Sequence, residues 1–397
     1  MPAKLNISKG WTLVISAFMI VFAFGTVDHA ISPMVEVLQS VFAVQEQRVL
    51  WLISYCTLGI VLGLFVGPQL LKTYKIKNIL YWAIFMQLAG LAVFVTVKIF
   101  YISLAARFIF GLGSGLISTI LWWIVYEAVD KNFYTPMITV LTASRPMAVA
   151  AGVPLVMYGT KHLGWAAAFA LIGLILFLFC FSFAWALPAD NKSKTGFTLK
   201  NIVLTYAAAF KTPLLKNFFA AMFVNRLCYF GFYSMLGIWF AHKYGLTAVQ
   251  MAKPLMVIGI CETAINFIVP KLMKIGQKKL FYAALVINTA VFGVFIWGLL
   301  PIWTAIFFIG IFAMTDRIYN MLLLMFIPKI FPAAQDKTTI GSLVTLVSWT
   351  SLAVISYAQG AFLGILGINV FAIILLAALP LGFILYLKVL KQTVFNG

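Results

Sequence analysis

The sequence has very little charge for its length. Of its 397 residues, only 9% are charged and 64% are hydrophobic. A soluble domain carries about a quarter charged residues, so this shortage excludes an ordinary soluble protein. Apolar runs of about 20 residues recur, which suits membrane-spanning helices, whereas the alternating pattern of a membrane β-barrel is missing from the sequence. These features predict an all-α membrane protein that crosses the bilayer many times.

Residues that build metal sites and reactive centres are also scarce, with four cysteines and three histidines in the sequence. The cysteines fall inside apolar runs without metal-ligand spacing, which is typical of small packing residues. The histidines are scattered; His29, beside Asp28, either packs near the outer interface or assists that carboxylate with protons. The sequence has no phosphate-binding loop, nucleophile–base arrangement or zinc motif. We therefore expect a non-enzyme with no metal and no cofactor.

Acidic residues are outnumbered by basic ones, 9 against 28, which gives a formal charge of +19. In a soluble protein this excess would suggest nucleic acid as a partner. With the N-terminus in the cytoplasm, however, nineteen basic residues near span ends fall on that side and five on the other. Such a bias sets membrane orientation, and attraction to anionic lipid explains the charge. We expect an inner-membrane protein with both termini cytoplasmic, whose partners are lipid and a small-molecule substrate rather than nucleic acid, and which is a monomer.

The apolar runs define twelve candidate spans, and the first is expected to be retained rather than cleaved as a signal peptide. The polar stretch 188–213 divides them into two halves. The predicted domains are a six-helix bundle over 1–187, a cytoplasmic linker over 188–213 in which Asn201–Phe210 could lie on the membrane surface, and a six-helix bundle over 214–397. The spans are 11–38, 48–71, 78–97, 100–128, 134–160, 164–187, 214–242, 250–272, 279–300, 302–328, 339–364 and 367–390.

An internal repeat supports two related halves. Two stretches, Gly67–Ala83 after the second span and Val269–Ala284 after the eighth, share a proline, two apolar positions, a lysine cluster and the aromatic start of the next span, in the same order. Two parallel six-helix halves around a central axis are the plan of major facilitator transporters. In such a bundle the first, fourth, seventh and tenth spans line a central cavity.

Several charges lie at membrane depth, where an unpaired charge is costly and commonly functional. Most of them are on the four cavity-lining spans. The set consists of Asp28, Arg107, Arg145, Arg226, Glu262, Asp316 and Arg317.

Asp28 is the charge on which the functional prediction depends. It follows the uncharged run Trp11–Val27, roughly 25 Å along a helix from its start. Arg107 lies at a comparable depth on the fourth span, so we predict that the two pair. A carboxylate can take up a proton when its surroundings change; Asp28 is the first candidate proton carrier, Asp316 the second and Glu262 the third, with Arg107 tuning Asp28.

The arginines at membrane depth outnumber the acids and stay protonated when buried. This surplus favours an anionic or polar substrate, held by Arg226 and Arg317. The alternative is that the charges neutralise one another as structural links between helices, above all Arg145 and Glu262 on supporting spans.

Polar and aromatic residues near the arginines are further candidates for substrate contact, although each could instead be packing or part of the interfacial belt. Arg226, Tyr229 and Tyr233 are spaced by three and four residues and so share one helix face. The candidates are Trp122, Trp123 and Tyr126 on the fourth span, Asn225, Tyr229 and Tyr233 on the seventh, and Tyr319 and Asn320 on the tenth.

Glycines recur every four residues on three spans, which favours close helix packing over ligand binding. The rows are Gly59, Gly63 and Gly67, then Gly111 and Gly115, and finally Gly360 and Gly364.

The fifth and sixth spans resemble a known pattern. Gly152-Val-Pro154-Leu155, followed by the Gly164-Trp165 pair, is similar to the antiporter signature of the drug/proton antiporter branch of the major facilitator superfamily, closest to arabinose-efflux and purine-efflux permeases. Arg107–Gly115 resembles the fourth-span motif of that branch, whose arginine is linked to proton transfer. The resemblance implies proton-driven export. The loop after the second span departs from the pattern, since Leu71 stands where an aspartate of the outward-open latch is expected.

Together these features favour a secondary transporter that works by alternating access and exports a small polar or anionic molecule in exchange for protons. A second interpretation is import, or proton-independent passage, of an organic anion such as a siderophore or a phosphorylated metabolite. A third is a membrane receptor that does not transport.

Overall fold

The structure is a computed structural model, and the residues it describes are helical apart from short connections. No strand occurs among them, so the fold is all-α as predicted. The described residues are 7–31, 34–44, 46–49, 51–187, 198, 200, 203–204, 207, 213–246, 248–297, 300–330 and 337–393.

Twelve long helices follow one another along this part of the chain, and nine of them are long and apolar enough to cross a membrane by composition. Two short helices, Val35–Phe42 and Glu46–Val49, lie between the first and second long helices. The twelve are α1 (Ile7–His29), α2 (Trp51–Thr73), α3 (Ile76–Thr96), α4 (Phe100–Trp123), α5 (Lys131–Met147 and Val153–Leu163), α6 (Trp165–Ala186), α7 (Pro213–Tyr244), α8 (Ala248–Leu272), α9 (Gln277–Trp297), α10 (Ile302–Ile330), α11 (337–366) and α12 (368–393).

Three local features interrupt regular α-helix. A π-helical turn, Ile124–Ala128, extends α4, and a second, Ala148–Gly152, joins the two parts of α5. Gly367 separates α11 from α12 with a φ of 75°, a left-handed conformation that a side chain would disfavour. Two of the three interruptions, Ala148–Gly152 and Gly367, occur where the sequence supplies glycine or small residues, whereas Ile124–Ala128 is mostly bulky.

The predicted first span, 11–38, is wrong at its end. The helix stops at His29 and a separate short helix begins at Val35. The sequence places Pro33 four residues after His29, and a proline lacks the N–H that would bond to that carbonyl. The other eleven predicted spans agree with helices to within about three residues at each end.

The contacts divide the chain into two compact units. The first is Met1–Thr205 with Asp336–Leu343, and the second is Tyr206–Gln335 with Val344–Gly397. The predicted linker 188–213, including its suggested surface helix over 201–210, lies largely outside the described residues, so the predicted domain bounds remain a prediction.

In the first unit, α4 packs closely between α2 and α3. A Cβ on Gly59 or Gly63 would meet the backbone of α4, and a Cβ on Gly111 would meet the carbonyl of Cys56 in α2. Gly90 of α3 approaches the backbone of α4 in the same way. The predicted close packing of the first two glycine rows is therefore confirmed, while the third row, Gly360 and Gly364, lies outside the residues whose packing is described.

In the second unit, aromatic side chains join α7, α9 and α10. The ring centroid of Phe232 lies 4.7 Å from that of Phe292 and 4.6 Å from that of Phe312. The Asn288 amide of α9 donates to the Phe312 carbonyl at 3.0 Å and to the Thr315 hydroxyl at 3.1 Å. This core fixes the face of α10 that carries the charged residues Asp316 and Arg317.

Candidate functional site

The first unit contains a buried ion pair between α1 and α4. The Nη2 atom of Arg107 lies 3.0 Å from Oδ1 of Asp28, and their side chains are only 2% and 6% exposed. The Nε–H of Arg107 also donates to the Leu52 carbonyl of α2 at 3.3 Å. The predicted Asp28–Arg107 pair is confirmed, and the arginine connects three helices.

Aromatic rings surround the rest of this guanidinium. Its Cζ atom lies 5.8 Å from the ring centre of Phe94 and 5.5 Å from that of Phe110, both within cation–π range. Its Nη1 group is buried and has no hydrogen-bond partner among the described residues. Arg107 therefore keeps a donor that its present partners do not use.

The π-helical turn of α5 packs against the part of α1 that precedes Asp28. A Cβ on Gly152 would collide with the side chain of Thr26, and Gly25 lies against Ala148. The guanidinium of Arg145 lies 5.2 Å from the ring centre of Phe24. The glycine-containing segment that resembles an antiporter signature thus packs directly on the end of α1, with Gly152 against the side chain of Thr26.

The second unit contains a pair between α7 and α10. The Nη2 atom of Arg226 lies 2.5 Å from Oδ1 of Asp316, with exposures of 3% and 2%. The same nitrogen lies 2.6 Å from the Tyr319 hydroxyl and 2.8 Å from Oδ1 of Asn225. The Tyr319 hydroxyl also hydrogen-bonds with Asp316 at 2.7 Å and with Asn225. Four side chains predicted to act on protons or substrate therefore form one buried network.

A tyrosine connects a third pair, between α8 and α10. The Tyr229 hydroxyl donates to Oε1 of Glu262 and accepts from Nη2 of Arg317 at 2.9 Å. Arg317 and Glu262 themselves approach only to 3.4 Å, through Nη2 and Oε2. Arg317 is 17% exposed, more than the guanidinium of either other pair. This is the most open and least directly bonded pair of the three.

The Tyr229 ring lies between the two arginines of the second unit. Its centre is 4.9 Å from Cζ of Arg226 and 5.2 Å from Cζ of Arg317. Tyr233, one turn further along α7, stacks on Tyr229 at 5.9 Å. The predicted shared face of Arg226, Tyr229 and Tyr233 is confirmed, and Tyr229 links both ion pairs into one cluster, here called the α7–α8–α10 cluster.

Buried polar atoms of this cluster remain without hydrogen bonds within the part of the chain that the structure describes. They are Oδ2 of Asp316, Nδ2 of Asn225, Nε of Arg317 and Oδ1 of Asn266. An unpaired buried polar atom costs about 1–3 kcal/mol, so a molecule that met these atoms would bind favourably. Both donors and acceptors are available.

Two predicted substrate residues are not joined to either set of charges. Trp123 and Asn320 are half-buried, and neither has a hydrogen bond or ion pair with the charged residues of the described chain. Trp122 and Tyr126 stack on each other at 5.6 Å in α4. A role for these residues in substrate binding stays a prediction.

Asn266 of α8 was not predicted. It is fully buried and donates to the Glu262 carbonyl at 2.5 Å. The signal was its position four residues after Glu262 in a mostly apolar helix, which puts both side chains on one face. A polar residue at that spacing beside a buried acid indicates a polar helix face.

Among the residues that the structure describes, the buried acids Asp28, Asp316 and Glu262 each form an ion pair with an arginine. The fourth arginine predicted at membrane depth, Arg145, lies against the ring of Phe24 in α1. The predicted alternative, that the charges link helices, is therefore seen in the geometry of these three pairs. Three of the four cysteines are buried and Cys261 is partly exposed. No group of three or more metal-binding side chains occurs among the described residues.

Comparison with known proteins identifies the same family along most of the chain. The sequence model described as the Major Facilitator Superfamily matches residues 13–356. A relative from Bacillus subtilis (strain 168), the uncharacterized MFS-type transporter YceJ, is 24% identical over 280 residues, which cover 69% of this chain and 70% of the relative.

Solved structures agree over almost the whole chain. The proton:xylose symporter XylE has a TM-score of 0.74 at 14% identity and covers 98% of this chain and 96% of its own. The Escherichia coli fucose:proton symporter FucP has a TM-score of 0.76 at 14% identity, with 96% and 98% covered. The human organic anion transporter MFSD10 has a TM-score of 0.73 at 15% identity, and the match covers 95% of this chain and 98% of that transporter. At these identities the similarity concerns the fold.

Proposed function

The chain belongs to the Major Facilitator Superfamily, and we propose that it is a secondary transporter that exports a small polar or anionic organic molecule in exchange for protons. Transporters of this family bind small molecules, lie in lipid membranes and typically need no cofactor. For this chain we further propose the inner membrane as the location, with both termini in the cytoplasm, from the positive-inside bias.

The observation that carries the proposal is the Asp28–Arg107 pair. A carboxyl group beside one guanidinium at membrane depth has two stable states. It is either ionised and paired with the guanidinium, or protonated and neutral. Protonation of Asp28 would release Nη2 of Arg107, which already has an unused Nη1. The freed arginine could then change its partner, so that proton binding alters how α1 and α4 are held together.

Export rather than import is supported by the residues around this pair. Gly152, of the segment resembling an antiporter signature, packs on Thr26 of α1, half a turn before Asp28. In an exchanger, proton and substrate bind alternately, and occupancy by either biases which side of the protein is open. Asp28 would carry the proton, Arg107 would tune it, and Asp316 and Glu262 would be further proton sites.

Substrate contact is assigned to the α7–α8–α10 cluster. Arg226 and Arg317 would hold a polar or anionic group, with Tyr229, Tyr233, Asn225 and Tyr319 beside them. The support is that these side chains touch one another and include unused donors and acceptors. Trp123 and Asn320 remain weaker candidates, since no described contact joins them to this cluster.

The test uses purified protein in liposomes. A thermal-shift screen of metabolites and drugs identifies a ligand, because a molecule that binds only the folded state raises the melting temperature. Transport of that ligand is then driven by a pH gradient in wild type and in Asp28→Asn. We expect the variant to fold but to lose pH-driven accumulation while ligand counterflow continues.

Asp130→Asn is the matched control, because Asp130 is an acid at the start of α5 outside the three pairs. It should transport like wild type. Unchanged pH-driven accumulation in Asp28→Asn would exclude Asp28 as the proton carrier.

A second candidate is uptake of an organic anion together with a proton. The observation in its favour is the loosely held Arg317–Glu262 pair, in which an anion and a proton could replace the present contact. The direction in which a ligand accumulates when the outside of a vesicle is acidified separates uptake from export.

A further inference from the structure

Arg317 has the geometry of an anion receptor whose site is occupied by a side chain of the protein itself. Its Nη2 reaches Tyr229 at 2.9 Å and Glu262 at 3.4 Å, while its Nε is buried without a partner. Nε and Nη2 together form one edge of the guanidinium, and a carboxylate binds such an edge through two parallel hydrogen bonds. Glu262 does not bind in this way, because it meets only Nη2.

We propose that Arg317 binds a carboxylate of the substrate, and that Glu262 is the internal competitor which leaves Arg317 when it takes up a proton. This inference rests on the proposed transport function and names the substrate class as organic carboxylates. Before binding, Arg317 is neutralised by the Glu262 carboxylate. After binding, the substrate carboxylate takes that place and Glu262 carries a proton from the surrounding water, so the net charge of the cluster is unchanged.

The other two pairs are poorer candidates for this exchange. Arg107 and Arg226 contact their acids at 3.0 and 2.5 Å and are almost fully buried. Both guanidiniums are almost closed to solvent, so a substrate carboxylate reaches them less readily than it reaches Arg317. The Arg317–Glu262 contact is longer and more exposed, so less is lost when it opens.

Tyr229 has a positioning role in this exchange. Its hydroxyl now donates to ionised Glu262 and accepts from Arg317. Once Glu262 is protonated, the hydroxyl no longer needs to donate to it and can turn toward the incoming anion. The ionisable groups around Glu262 are Tyr229 and Tyr233 of α7, Cys261 of α8, and Asp316 and Arg317 of α10. Asp316 remains occupied by Arg226, which leaves Arg317 as the cation that responds to Glu262.

The exchange makes anion binding and proton binding favour each other, because both remove the Glu262–Arg317 contact. Affinity for the anion should therefore rise as the pH falls. This coupling belongs to Glu262 and is separate from the proton carried by Asp28 in the proposed export cycle.

The experiment measures binding to purified protein, independent of transport. A panel of small organic carboxylates is screened by thermal shift, each beside its uncharged amide, and dissociation constants of stabilising compounds are measured at about pH 6 and pH 8. For wild type we expect carboxylates but not their amides to bind, more tightly at the lower pH. Glu262→Gln, which imitates the protonated acid, should bind about tenfold more tightly or better and lose the pH dependence.

Arg317→Gln should abolish binding, and so should the double variant Glu262→Gln/Arg317→Gln, which buries no unpaired charge and keeps the test valid if the single variant unfolds. Tyr229→Phe keeps the ring between the arginines and should weaken binding moderately. Equal binding of the amides, binding retained without Arg317, weaker binding by Glu262→Gln, or a panel with no binding carboxylate would each overturn the inference. If uncharged compounds bind instead and their pH-driven transport requires Asp28, the proposed function stands while this inference fails.

Discussion

At the scale of single residues, each of the three buried ion pairs makes the stability of the protein sensitive to the loss of one partner. Removing one partner of a buried pair destabilises a protein by about 3–5 kcal/mol because the other charge stays buried, whereas removing both is far less harmful. Arg107 is the most informative case, since its side chain bonds both Asp28 of α1 and the Leu52 carbonyl of α2.

We expect Arg107→Gln to lower the free energy of unfolding by about 3–5 kcal/mol. Asp28→Asn combined with Arg107→Gln should recover more than half of that loss, because no charge then lacks a partner. Thermal unfolding of the purified variants in detergent measures both effects. A double variant no more stable than Arg107→Gln would mean that Asp28 has another cation as its partner.

The sequence predicted the Asp28–Arg107 pair but not the other two. Counting residues from the span ends places the Asp28 and Arg107 side chains at the same depth in the membrane. This depth was enough to predict their ion pair because α1 and α4 belong to the same unit. The contact of Glu262 with Tyr229 and Arg317 depends on how α8 is rotated about its own axis relative to α7 and α10. That rotation is set by how the side chains of the three helices pack together, and residue counting does not give it.

At the scale of helices, the close approach of α2 and α4 depends on glycine. A Cβ at Gly111 would collide with the carbonyl of Cys56, whereas a Cβ at Gly293 of α9 meets nothing within 4 Å. The same substitution at these two positions therefore separates packing from the intrinsic preference of a helix for alanine.

We expect Gly111→Ala to destabilise the protein by about 1–3 kcal/mol through overpacking. Gly293→Ala should leave stability unchanged or raise it by up to about 1 kcal/mol. Melting temperatures of the two variants provide the comparison. If Gly111→Ala were as stable as Gly293→Ala, the α2–α4 contact would have to be wider than the structure has it.

Helix bounds were largely predictable because apolar length is fixed by the bilayer, and the glycine rows on α2 and α4 identified a packing surface. The end of α1 was missed, since hydrophobicity continues past His29 while the backbone cannot continue a helix into Pro33. The π-helical turns of α4 and α5 had no signal in hydrophobicity, because an extra residue in one turn changes hydrogen bonding without changing composition.

At the scale of the whole molecule, two helical units of related sequence carry different charge arrangements. Within the described part of the chain, the first carries the Asp28–Arg107 pair near the end of α1, and the second carries two pairs linked by Tyr229. If Asp28 and Glu262 act as proposed, the unit that exchanges protons for export and the unit that binds anions can be altered separately by mutation.

The orientation of the chain is testable without a substrate. We expect a C-terminal fusion to green fluorescent protein to fluoresce and a fusion to alkaline phosphatase at the same site to be inactive, because nineteen basic residues against five favour a cytoplasmic C-terminus. Fusions in the connection between α5 and α6, which follows Lys161, should give the opposite result. Active phosphatase at the C-terminus would contradict the orientation.

The uneven exposure of the cysteines has a practical consequence. Of the four thiols only that of Cys261 is partly open to solvent or lipid, and it directly precedes Glu262 in the chain. A small maleimide fluorophore should therefore attach at this one position of the unmodified protein, and Cys261→Ser should abolish labelling as judged by mass spectrometry. A fluorophore on Cys261 would lie next to Glu262, so that its emission could report the occupancy of Arg317 without any engineered cysteine.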